Sequence, residues 1–274
     1  RDRTGTEDIN FTHRQTNIFS MDMNTKDFNR FFFSFGYRND LEDFLSNELI
    51  YGPLTYRDRS YIENTFYLAA NYRISTKTYL IWENDYGFIN YYRNDTPPNS
   101  YYLESLVGVK GQPSSKIAVN LKVGVKYQQY DFSTLIDNEG YCNFVARGGI
   151  DYFATQNDTL SLNLERTNYE SDYNNMNYYQ ASSLGLNYKH NFPHKLTGNL
   201  FTSIQQNLYP TETTENGYYA TRKDWIYEGG CSLKYDVKKW LALEARYDFE
   251  RRDSIFSDLS YTDNRITISG TIGF

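Results

Sequence analysis

Ile117, Val119, Leu121, Val123, Val125 and Tyr127 fall on one face of an extended chain, with Asn120, Lys122, Gly124, Lys126 and Gln128 on the other. A side-chain period of two marks a strand with two unlike faces. The run is longer than the usual soluble strand of about 5–6 residues and matches the roughly 9–11 that a strand needs to cross a bilayer. The pattern therefore predicts strands that cross a membrane, apolar toward lipid and polar toward an interior.

The alternation returns about every 20 residues, as expected of successive strands and turns in a transmembrane barrel. Leu160, Leu162 and Leu164 oppose Ser161, Asn163 and Glu165; Leu184, Leu186 and Tyr188 oppose Gly185, Asn187 and Lys189. Tyr227, Cys231, Leu233 and Tyr235 oppose Glu228, Ser232 and Lys234, while Leu241, Leu243, Ala245, Tyr247 and Phe249 oppose Glu244, Arg246 and Asp248. Short turns (75–76, 111–115, 155–158, 191–195, 236–239) alternate with longer polar loops (93–100, 133–140, 170–177, 210–223, 252–261). Short turns on the periplasmic side and longer loops outside are the asymmetry of outer-membrane barrels. The segment 40–59, with its Gly52-Pro53, reads as a further long extracellular loop.

Composition narrows the class. The 274 residues include 28 Tyr and 18 Phe, 18% aromatic in all, yet mean hydropathy is -0.71. So many aromatics exclude a disordered chain. No run approaches the roughly 18 apolar residues of a spanning helix. A net charge of -6 speaks against nucleic acid as a partner. The expected fold is all-β, a transmembrane antiparallel up-and-down outer-membrane β-barrel of about 14 strands, within about 12–16, since even counts are the rule. Strands are expected at Phe31–Tyr37 and Phe19–Met23 and within residues 1–13, and 1–274 is expected to be a single domain. The opening Arg1 fits a mature or trimmed product. Trp82, Tyr86, Tyr91, Tyr92, Tyr101, Tyr102, Tyr178, Tyr179, Trp225 and Trp240 are candidates for the interfacial aromatic belts.

Catalytic chemistry finds little support, and no enzyme, cofactor or metal site is expected. His13, His190 and His194 supply few bases, and the last two flank a turn containing Pro193. Cys142 and Cys231 fall on the lipid-facing register about four strands apart, too far for a disulfide. Glycines 148, 149, 229 and 230 lack a phosphate-loop context and read as bends or close approaches of side chains.

The candidate functional surface is the lumen: Lys122, Lys126, Arg147, Glu165, Lys189, Glu228, Lys234, Glu244, Arg246 and Asp248, with Glu83, Asp85, Glu104, Lys110 and Asp151 on the same register. Both signs are mixed, so neither a purely anion- nor a purely cation-selective pore is indicated. These groups could solvate and lock the interior, or the basic ones could line a path for an acidic glycan.

A resemblance adds to this reading. Lys239-Trp240-Leu241-Ala242-Leu243, Tyr247, Arg251-Arg252-Asp253-Ser254, Tyr261 and Asp263-Asn264-Arg265 resemble the putative β-barrel porin 2 family of Gram-negative outer-membrane proteins. Gly108-Val109-Lys110-Gly111, Ser115-Lys116-Ile117 and Gly124-Val125-Lys126-Tyr127 are similar to that family's strand–turn–strand phrase. The resemblance implies a passive conduit for an exported hydrophilic polymer such as an exopolysaccharide, and polysaccharide-export or periplasmic components as partners. A general diffusion porin for small solutes and a structural barrel anchoring a surface partner are the alternatives. The final strand, with Ile268, Gly270, Ile272 and Phe274, resembles the signal read by the outer-membrane assembly machinery, although Ser269 stands where a glycine is usual. Outer-membrane lipid and that machinery are the expected partners.

Overall fold

The computed structural model describes residues 14–273 except 27, 48, 94–96, 134–138, 172, 174–175 and 216. The strand expected within residues 1–13, His13 and Phe274 lie outside the described residues. Among the described residues fifteen strands run β1 (Arg14–Asn24), β2 (Phe31–Phe44), β3 (Leu49–Tyr51), β4 (Leu54–Thr55), β5 (Tyr61–Ser75), β6 (Thr78–Tyr91), β7 (Ser100–Ser114) and β8 (Ile117–Tyr130). They continue β9 (Tyr141–Phe153), β10 (Asp158–Glu170), β11 (Tyr178–Phe192), β12 (Leu196–Glu215), β13 (Tyr218–Lys238), β14 (Leu241–Ser254) and β15 (Tyr261–Ile272). Thirteen of them form one sheet in chain order, β3 and β4 making a separate hairpin. Neighbours pair antiparallel throughout, as in an up-and-down wall.

The register carries the period of two into space. Trp82 and Val107, on the expected lipid face, are each 55% exposed, as befits side chains whose solvent is lipid. Cys142 and Cys231 are free thiols on that exposed face. Turns of 76–77, 115–116, 154–157, 193–195 and 239–240 close one end of the sheet, and the C-terminal ends of β2, β6, β8, β10, β12 and β14 lie at the other.

Two expected loops are partly strand. The segment 40–59 begins as the end of β2, which runs to Phe44 and pairs with β1. Its polar residues misled because strands continue above the lipid band, where both faces tolerate polarity; Thr16 there donates to Glu42 at 2.9 Å. Likewise 210–223 is a hairpin extension: β12 and β13 keep pairing from Glu212/Thr221 to Glu215/Tyr218. Pro210 reads as a breaker since it cannot donate to a ladder. The ladder instead slips past it, shifting register between Leu208 and Glu212, as β-bulges do.

On the concave face, aromatic rings cross over glycines to reach the second strand away. Asp22, Gly36 and Tyr67 lie side by side on β1, β2 and β5, and the Tyr67 hydroxyl donates to Asp22. A Cβ on Gly36 would fall 1.8 Å from that ring. In the same way Tyr102 of β7 passes over Gly87 of β6 and donates to Glu63 of β5 at 2.6 Å. Phe201 of β12 passes over Gly230 to meet the Arg246 guanidinium of β14 at 4.7 Å.

At the loop end a small apolar core forms from Tyr173, Met176, Tyr179, Ala181, Tyr209, Phe256 and Leu259. It ties Tyr173 and Met176 to β11, the loop end of β12 and the turn after β14.

Candidate functional site

The inward register surrounds a cavity of about 1450 Å³ bordered by β1, β2 and β5 through β10, and a neighbouring one of about 1010 Å³ bordered by β7 through β14. Their walls carry charge of both signs, held in a definite way. Lys122 of β8 reaches over β7 to Glu83 of β6 at 2.7 Å. Arg147 of β9 reaches over β8 to Glu104 of β7. Arg246 pairs with Asp248 two residues along β14 at 2.7 Å. Lys126 lies 4.3 Å over the Tyr102 ring, a cation–π contact. Glu165 accepts from Tyr169 and Glu228 from Ser203, each at 2.8 Å.

The loop end of the larger cavity is narrowed. Glu170 at the tip of β10 accepts from Gln128 at 2.7 Å and from Tyr130 and Tyr91, each at 3.1 Å. β6 and β10 stand four places apart in the sheet, about 19 Å along a flat ladder at roughly 4.8 Å per strand. Their direct bond means that the sheet curls and the tie spans the interior. Tyr141 donates to Gln128 at 2.6 Å and packs against Tyr178 with ring centroids 4.3 Å apart.

Above this, Arg59 is 2% exposed and donates to the Met176 carbonyl at 3.3 Å. Arg59 precedes β5 and Met176 precedes β11, six places away in the sheet, so this bond also crosses the mouth. The 45–60 segment holds Arg59 in place by its own structure. Its β3–β4 hairpin leads into a 3-10 turn, Tyr56–Arg59, capped where Asp58 accepts from the Thr55 amide and hydroxyl, each at 2.8 Å. Leu54 and Tyr56 are buried beneath it.

The family model described as "Putative beta-barrel porin 2" matches residues 2–273. The chain belongs to that family. Among solved structures, a likeness is found to the "CymD monoaromatic hydrocarbon channel" at 10% identity, covering 95% of this chain and 87% of that one with a TM-score of 0.37. The outer membrane protein opdK from Pseudomonas aeruginosa is similar at 10% identity, covering 93% and 92% with a TM-score of 0.38. No curated protein matches. Likeness of this degree assigns neither a solute nor a mechanism.

Within this porin-family wall, Lys122, Lys126, Arg147 and Glu165 border the larger cavity, and Arg147, Glu165, Glu228 and Arg246 the smaller. Lys189, Lys234, Glu244 and Asp248 border neither of these. Lys189 stands opposite Thr159 and Asn199, and Lys234 opposite Glu244 and 3.6 Å from Asp236. Ile268 and Ile272 are exposed on the outer face of β15, with Gly270 between them. Among the described residues no group of three or more His, Cys, Asp or Glu is placed to hold a metal. His190 is bound instead to Asp158 at 2.6 Å beside a turn where His194 and Lys195 adopt positive φ.

The aromatic belt needs correction. Trp82, Tyr86, Tyr92, Tyr101 and Trp240 are exposed, but Tyr91, Tyr102 and Tyr179 are buried. Parity was the available signal: Tyr91 shares its register with Glu83 and Asp85, and Tyr102 with Glu104, so both rings face inward. Glu170, Gln128 and Arg59 escaped the sequence reading because their roles depend on ties across the interior, which no local pattern contains.

Proposed function

We propose that this chain forms a passive, water-filled channel in the outer membrane of a Gram-negative bacterium, passing small hydrophilic solutes through a mouth narrowed by the segment 45–60. The observation that carries this reading is the bond from Arg59 across the mouth to Met176, above a polar cavity. A passing solute needs only water and a polar wall. A threaded polysaccharide needs a bore as wide as its sugar rings along the whole path. Moreover, Lys122, Arg147 and Arg246, the groups that would greet an acidic glycan, already have carboxylate partners. Polymer export therefore ranks behind small-solute passage. A structural barrel that anchors a surface partner is the second reading, favoured by the apolar core that knits the loops together.

Single-channel current across a planar bilayer tests this. The expected result is a steady conductance, raised by Arg59→Ala and not interrupted by acidic or neutral oligosaccharides. Block by an acidic oligosaccharide would move the reading to polymer export. Silence in both wild type and variant would move it to the structural barrel.

A further inference from the structure

The lumen's two signs of charge are held differently. Five of its basic groups are matched to carboxylates: Lys122 to Glu83, Arg147 to Glu104, Arg246 to Asp248, Arg38 to Asp40 at 2.7 Å, and Arg14 to Glu42 at 3.8 Å. Further carboxylates are held by neutral hydroxyls instead. Glu63 accepts from Tyr102, Asp22 from Tyr67, Glu165 from Tyr169, Glu228 from Ser203, and Asp151 from Ser161 at 2.5 Å. A hydroxyl donor satisfies an oxygen lone pair but leaves the full negative charge facing the cavity. Against these stand Lys126, which lies over the Tyr102 ring and donates to the Asn168 carbonyl, Arg59, which donates to the Met176 carbonyl, and Lys110. Among the described residues the two cavities are bordered by eleven acidic and eight basic side chains.

On the channel reading above, we infer that the lumen selects for cations, and that solutes carrying net positive charge are its preferred class. Each paired base presents a near-neutral dipole to a passing ion, whereas each hydroxyl-held carboxylate presents a charge. A narrow aqueous path between low-dielectric walls focuses that field, and rows of unpaired carboxylates favour cation passage. The hydroxyl-held carboxylates recur from β1 through β13, so the bias extends along the wall rather than resting on one residue.

The test is the reversal potential of the full chain in a planar bilayer under a KCl gradient. The expected potential has the sign of potassium permeation and shrinks as the salt on both sides is raised, because mobile ions screen the wall. Glu63→Gln and Glu228→Gln each keep an acceptor for their hydroxyl partners and shift the potential toward zero. Lys122→Gln leaves Glu83 without its cation and shifts it the other way. The opposed shifts separate an electrostatic role from general loss of structure, and heat-dependent migration on a gel shows whether each variant has folded. Chloride-selective or unselective current in the wild type overturns the inference while leaving the channel intact. Absence of any current overturns the inference together with the channel reading.

Discussion

Arg222 and Asp224 show how much a single pair of residues can fix outside the membrane. They lie two apart on β13 in the loop-end extension, both fully buried, with the guanidinium donating to the carboxylate at 2.6 Å. The guanidinium also faces the Tyr173 ring at 4.2 Å and the Tyr209 ring at 4.6 Å. Removing one member of a buried ion pair strands the other and costs about 3–5 kcal/mol. Arg222→Leu is therefore expected to loosen the loop core while the lipid-embedded wall stays intact. Limited proteolysis of the folded protein should then cut within 171–177 or 209–222, and Arg222→Leu with Asp224→Leu should restore resistance. Equal digestion of wild type and Arg222→Leu would refute this. Nothing local announces the pair. In the sequence Arg222 falls within the polar loop 210–223, and the rings that cover it, Tyr173 and Tyr209, are contributed by other segments.

Strands were far more legible than loops, because a strand states its two faces in its own residues while a loop end is decided by what it pairs with. The alternation from Ile117 to Gln128 is written in the residues of β8 alone; in the structure Lys122 and Lys126 border the larger cavity, and Cys142, opposite Tyr127, is exposed. The same alternation could not show that the inward glycines serve as saddles for aromatic rings. Gly87 is occupied by Tyr102, whose Cζ would lie 2.2 Å from an added Cβ. Overpacking a filled site costs typically about 1–3 kcal/mol. Gly87→Val should therefore lower the midpoint of urea unfolding in lipid, by displacing Tyr102 from Glu63 and Thr65. Adding Tyr102→Ser to Gly87→Val should recover part of the loss. If Gly87→Val matched wild type, the saddle would be dispensable. The outward thiols give a second check on the faces. A lipid-soluble maleimide should label Cys142 and Cys231 in membranes, while a charged, water-soluble one should leave both untouched; labelling by the charged reagent would place them in the aqueous interior.

The wall as a whole raises a question of parity. Strands alternate in direction along the thirteen-stranded sheet, so β1 and β15, first and last in order, run the same way. A bilayer tolerates no unpaired strand edge, and antiparallel closure needs an even count. Closure in this family's fold therefore calls for an odd number of further strands between β15 and β1. The consequence reaches function, because lumen width grows with strand number. Cysteine pairs distinguish the arrangements. With Cys142 and Cys231 replaced by Ala, each of Ser20→Cys and Asp22→Cys is combined with each of Thr267→Cys and Ser269→Cys, inward positions on the two edge strands. Directly paired strands lie about 4.8 Å apart, within bridging range, whereas one intervening strand sets them roughly 9.6 Å apart, beyond the limit of about 7 Å for a disulfide. Under mild oxidation in membranes no combination should shift on a non-reducing gel. A disulfide in any of them would make β1 and β15 neighbours, close the wall at its present width through a parallel seam, and bring the hydroxyl-held Asp22 onto the same side of the lumen as Arg265.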